Sequence, residues 1–205
     1  MIKKYLLILL LFSGCYLQAQ EVFFTGGGNF TKYDYKNSSG VSNPNLRSGD
    51  GSFYQLGMAF NLGSDELSYA VSLVYNQLNA VGGSSTSNYA WNTNYVGIQN
   101  ELNYILYQNY DYFKVKTKLG CATSTIIKGE QYINNVMYDI TKNEEFKGLL
   151  LQPNIGIDFY YSINRGMEIS AGYEFSKAFN VSNTSAEKLS FTNNQIHLGL
   201  HFPIF

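Results

Sequence analysis

From Phe53 to Tyr75 the chain reads FYQLGMAFNLGSDELSYAVSLVY, and apolar side chains recur at every second position on either side of a polar turn, Gly63-Ser64-Asp65-Glu66. Tyr54, Leu56, Met58, Phe60 and Leu62 share one face of the first arm; Leu67, Tyr69, Val71, Leu73 and Tyr75 share one face of the second. A period of two is a strand period, so the stretch predicts a β-hairpin. The opposite face carries Gly57, Ala59, Ser68, Ala70 and Ser72, which are small and neutral rather than long and charged. Such a face suits a crowded interior better than open water.

The same alternation predicts eight strands: 22–35, the two arms of 53–75, 91–106, 112–127, 149–161, 167–179 and 191–205. Their connections alternate long and short. Polar segments at 36–51, 79–90, 128–147 and 180–190 contrast with tight turns at 63–66, 107–111 and 162–166. In 128–147, Tyr132, Ile133, Val136, Met137 and Ile140 could extend a hairpin. Gly26-Gly27-Gly28 sits in a strand pattern with no helix after it, which argues for close backbone packing or curvature and against a phosphate loop.

Bulk decides which face is outside. Tyr54, Phe60, Tyr69, Tyr104, Phe113, Phe159, Tyr161, Tyr173, Phe175 and Phe202 lie on the apolar face; Gly97, Gly120, Ala122, Gly156, Ser170 and Gly172 lie on the other. An eight-stranded barrel has an interior that side chains just fill, so small residues belong inside and large ones outside. An outside of Leu, Ile, Tyr and Phe requires lipid. A soluble lipid-binding barrel would put these faces the other way round. The sorting of long and short connections also matches a membrane barrel, and closure leaves no strand edge for lipid to contact.

Composition agrees. Charged residues make up 14% and aromatics 16%, with 18 Tyr and 14 Phe. The net charge of −1 and the lack of basic runs give no case for nucleic acid. Residues 1–19 read as a cleaved secretory signal: Lys3 and Lys4, an apolar core at 5–12, and Ala19 before the cut. The alternative is a lipoprotein box ending at Cys15, with that cysteine lipidated. Residues 20–205 then form the barrel domain. With Cys15 removed, Cys121 has no partner for a disulfide and reads as a small hydrophobe.

The signal ending Gln18-Ala19-Gln20, the glycine-rich first strand, the alternating strands and a last strand from Gln195 to Phe205 together resemble the small OmpA/OmpX-like outer-membrane β-barrel family. The resemblance implies an all-β, eight-stranded antiparallel up-and-down transmembrane barrel in the outer membrane of a Gram-negative cell. It also implies contact with outer-membrane lipid, insertion by the barrel-assembly machinery, and long loops where an extracellular ligand would be met. In the last strand the apolar stripe falls on even numbers, so Pro203 is expected to mark a kink that resets the phase before Phe205.

The strongest lead to chemistry is charge on the lumenal face: Glu101, Lys114, Lys116, Lys118, Asp158, Glu168 and Glu174, with Lys118 expected opposite Glu101. Buried charges are costly unless paired, which predicts a salt-bridge network plugging the lumen. His197 and His201 stand roughly 13 Å apart along a strand, too far for one metal ion. Neither has a neighbouring Ser, and Glu168 with Ser170 lacks an evident base, so no catalytic, metal or cofactor site is expected. The reading is a non-enzymatic outer-membrane barrel with a structural or surface-interaction role. Its alternatives are a porin-like channel for small solutes or hydrophobic compounds and, further off, a lipid-modifying enzyme or a soluble lipid-binding barrel.

Overall fold

The computed structural model describes residues 20–204 apart from 44, 85, 86, 110 and 111. The expected signal, Cys15 and Phe205 lie outside the described residues. The chain forms β1 (Glu21–Lys36), β2 (Leu46–Ser64), β3 (Leu67–Gln77), β4 (Ala80–Ser84), β5 (Ser87–Asn109), β6 (Phe113–Ile133), β7 (Val136–Asp139), β8 (Leu149–Asn164), β9 (Met167–Asn180) and β10 (Lys188–Pro203). Each pairing is antiparallel. The ring runs β1, β2, β3, β5, β6, β8, β9, β10 and back to β1. These eight staves are the eight expected strands; β4 continues β3, and β7 folds back on β6.

One segment expected as a loop is zipped into sheet, and the hairpin expected within 128–147 forms. Residues 80–84 and 87–90 are not a polar loop: β4 pairs with both β2 and β5. The break between β3 and β4 falls at Leu78 and Asn79, and the Asn79 side chain repairs it. Its amide donates to the Asp50 carbonyl at 2.7 Å, and its oxygen accepts from the Thr93 amide at 3.1 Å. The β6–β7 hairpin turns at Asn134 and Asn135, both at positive φ, the conformation that a two-residue turn of matching twist requires and asparagine tolerates. The phase reset expected between Pro203 and Phe205 falls at the edge of the described residues, since Phe205 lies outside them. Pairing between β1 and β10 runs unbroken from Lys36 with Lys188 to Glu21 with Pro203, because proline ends an already formed ladder instead of interrupting one.

The faces sort by bulk. Leu198 is 70% exposed and Leu73 and Leu119 are each 61% exposed, whereas Ala70, Ser72, Ala122 and Ser170 are buried. Tyr104, Tyr107, Phe113, Tyr161 and Phe202 point outward near the end that holds the short turns, as interfacial aromatics do. A closed ladder with a greasy exterior has the form of a membrane-crossing barrel.

Inside, the side chains form three layers. The short-turn half is charged. The middle is amides and hydroxyls: Asn29 and Gln195 both donate to the Asn76 oxygen, at 3.3 and 3.1 Å, and Thr31 donates to Asn193 at 2.9 Å. The long-loop end is apolar, where Tyr33, Leu46, Leu78, Tyr95, Leu150 and Phe191 pack together. Ile140 and Phe146 reach into this cluster from the segment after β7 and pin that segment over the mouth.

Candidate functional site

The charged layer is built from side chains of five staves. On β6 the alternation sends Lys114, Lys116 and Lys118 to the lumen, because Val115, Thr117 and Leu119 take the other face. Lys118 lies deepest. Its Nζ is 3.1 Å from Asp158 on β8 and 3.8 Å from Glu174 on β9. Lys114 meets Glu168 at 2.7 Å, and Ser162 also donates to that carboxylate at 2.8 Å. Lys116 is 3.7 Å from Glu21 and sits over the Tyr160 ring at 4.2 Å.

Glu101 lies apart from the lysines in the ladder. The expected opposition of Lys118 and Glu101 does not occur: Glu101 pairs with Gly120, and Lys118 with Asn103. β5 runs on to Asn109, which pairs with Phe113, so the two strands pair past the turn expected at 107–111; the one-residue slip between Ile105 and Tyr107 then leaves Lys118 at Asn103. Glu101 is instead held by amides, accepting from Gln99 at 2.9 Å and from Gln55 at 3.1 Å. Gln99 also reaches Glu174, at 3.4 Å, which ties Glu101 into the same network.

Glycines make the room. A Cβ at Gly172 would collide with Asp158 Oδ1 and lie 2.6 Å from His197 Nε2. One at Gly156 would lie 2.9 Å from Lys118 Cε. The small residues on this face thus leave the volume that the ions occupy.

The sequence reading left out five members. Glu21, at the start of β1, bonds Nδ1 of His201 at 2.5 Å. His197 contacts Asp158 at 2.8 Å and Lys118 at 3.3 Å through Nε2. Gln55 and Gln99 supply the amides. The signal for the histidines was available: the stripe on β10 is even-numbered, so 197 and 201 must face the lumen. Neither a shared metal ion nor a serine adjacent in sequence is the role they fill.

His201 also supplies the base that Ser170 seemed to lack. Its Nε2 is 2.9 Å from Ser170 Oγ, 31 residues away on the neighbouring strand. Glu21, His201 and Ser170 therefore stand in line as acid, imidazole and hydroxyl. Gly199 makes this contact feasible, since a Cβ there would collide with Ser170 Oγ. The interior space beside His201 is about 20 Å³, room for roughly one water.

The barrel fold finds a counterpart among solved structures. The outer membrane protein OprG of Pseudomonas aeruginosa is 12% identical, covers 91% of this chain and 98% of its own, and superposes with a TM-score of 0.51. The fold is that of an outer-membrane β-barrel. The barrel is also similar to Neisserial surface protein A (13% identity, 89% and 97% covered, TM-score 0.48) and to the N-terminal β-barrel domain of OprF from P. aeruginosa (11%, 91% and 98%, 0.47). No protein-family profile matches the chain, and no curated protein matches it significantly.

Proposed function

We propose that the chain is an outer-membrane barrel with a closed lumen, acting through its long-loop end in a structural or surface-interaction role. The observation that carries this is the three-layered filling of the interior. Ion pairs, then amides, then an apolar plug follow one another along the axis, and the interior space beside the charged layer holds about one water. The seven charged residues named from the sequence serve, on this reading, as a self-satisfied core that stiffens the barrel.

A channel would need a continuous wet path past Lys118 and then past Phe191 and Leu78, both fully buried. Hydrolysis would need a carbonyl-sized space at Ser170 and free donors for an oxyanion. Ser170 is 4% exposed, and strand N–H groups are engaged in the ladder. The line from Glu21 through His201 to Ser170 is better used as a hydrogen-bonded tie between β1, β10 and β9.

The test is conductance. Purified protein inserted into planar bilayers gives no discrete current steps if the reading holds. Reproducible unitary steps from the wild-type protein overturn it and favour the channel.

A further inference from the structure

The long-loop mouth holds a cavity that the closed-lumen reading does not use. It measures about 280 Å³, at the small end of ligand sites. Four rings line it, Tyr33, Tyr35, Trp91 and Phe146; Tyr33 packs against Trp91 at 6.0 Å and against Phe146 at 6.1 Å, centroid to centroid, with interplanar angles of 45° and 52°. Glu145 and Glu187 line the same cavity, and both are half-buried. Among the described residues neither carboxylate has an ion-pair partner, and no lysine or arginine lines the cavity. Two nearby lysines are engaged elsewhere. Lys147 pairs with Glu144 at 2.5 Å, and Lys188 donates to the Ser185 carbonyl at 2.9 Å.

The Tyr35 hydroxyl hydrogen-bonds Glu187, but no cation of the protein's own lines the cavity, so two partly desolvated anions beside aromatic rings call for an external cation with an apolar surface. An inorganic ion would satisfy the carboxylates but gain little from the rings, and a neutral hydrocarbon would leave the carboxylates unpaired. An ammonium group bearing alkyl substituents meets both demands. We propose that this cavity binds an organic ammonium ion, with its alkyl part against Tyr33, Trp91 and Phe146 and its charge at Glu145 and Glu187. The site deepens the surface-interaction reading and rests on it for its outward orientation.

Trp91 is the single tryptophan and lines the cavity, so its fluorescence reports occupancy. The folded protein, in an alkyl maltoside that carries no ammonium head group, is titrated with tetramethylammonium, choline and n-butylammonium chlorides at constant ionic strength. Sodium chloride and the uncharged choline isostere 3,3-dimethylbutanol serve as references. A saturable change below about 100 mM with the ammonium ions alone, weakened about tenfold or more by Glu145→Gln with Glu187→Gln, supports the site. A response that is linear, is matched by the neutral isostere, or survives the double variant in protein still running as a folded barrel on gels overturns it. Conductance reads separately: a silent barrel that binds no ammonium ion sinks the site and leaves the closed-lumen reading intact.

Discussion

Replacing Lys118 with methionine tests the charged layer at its centre. Methionine keeps most of the length and removes the charge. Asp158 and Glu174 oxygens lie 3.1 and 3.8 Å from Nζ, so they are within about 7 Å of each other. At an effective dielectric of ~20, two unit charges at that separation repel by about 2 kcal/mol. The variant also loses charge-assisted contacts, each worth ~1.5–3 kcal/mol. Side chains of Lys118, Asp158 and Glu174 are only 5–7% exposed, so water cannot easily substitute. The expected loss is about 3–5 kcal/mol, the range for breaking a buried pair by removing one partner. Reversible urea unfolding in lipid vesicles, followed through Trp91 emission and the gel mobility of the folded barrel, measures it. Adding Asp158→Asn removes one of the stranded anions and recovers a substantial part of the loss. A single variant within about 1 kcal/mol of wild type, or a double variant no better than the single, refutes the claim that these charges depend on one another.

Gly172→Ala drives a methyl into Asp158 and His197 and should cost ~1–3 kcal/mol or more in the same assay, whereas Gly166→Ala, in an open turn, should be nearly silent. Leu198→Arg tests the lipid belt. Leu198 lies four residues, roughly 13 Å, from Phe202 and so near the middle of a ~25 Å apolar band; the loss should be about 2–4 kcal/mol in bilayers and much smaller in a barrel that faces water. Asp139, on the β7 hairpin outside the ring, has its carboxyl held below the usual aspartate range by the Thr141 hydroxyl and then by the Thr141 amide. A lowered value means the turn is favoured above the ordinary aspartate range and loosens as pH falls through the lowered one. The Thr141 amide resonance should therefore shift only under distinctly acidic conditions, and Asp139→Asn should abolish that titration.

Much of the barrel was legible because alternation and bulk are local properties. Leu198 and Gly199 declare their faces by size alone, and every stave inherits the same rule. The zipping of 80–84 and 87–90 was not legible, since that pairing depends on Asn79 substituting its side chain for broken ladder bonds, and nothing in GGSSTSN signals that. Likewise the lysines announced the charged layer, but their partners depend on register, and because β5 pairs on to Asn109 with Phe113, Lys118 meets Asn103 and not Glu101. Glu21 was beyond reach, because its tie to His201 spans 180 positions. The aromatic plug was half visible. Tyr33 and Phe191 oppose one another across β1 and β10, but the side chains that close the layer from above, Ile140 and Phe146, come from a loop.

The order of the layers follows from where water can reach. Charges sit in the short-turn half, where Lys114 and Glu168 open onto a polar vestibule and keep part of their hydration. Moving inward, that help fades, and by Lys118 each charge needs protein partners; three lie within 3.8 Å. At the other end the loops are long, and an ordered surface there requires something that holds them. Ions would do this poorly, since exposed pairs contribute little. Burying Ile140 and Phe146 against Phe191 does it better, at ~1.5–3 kcal/mol for each side chain fully removed from water. The plug therefore seals the lumen and also anchors the segment that carries Glu145. If so, Phe146→Ala should disturb the loop-end cavity before it disturbs the barrel: ammonium binding should be lost while the urea midpoint of the staves stays close to wild type. Equal loss of both would mean that the cluster is simply part of the barrel core and holds no surface in place.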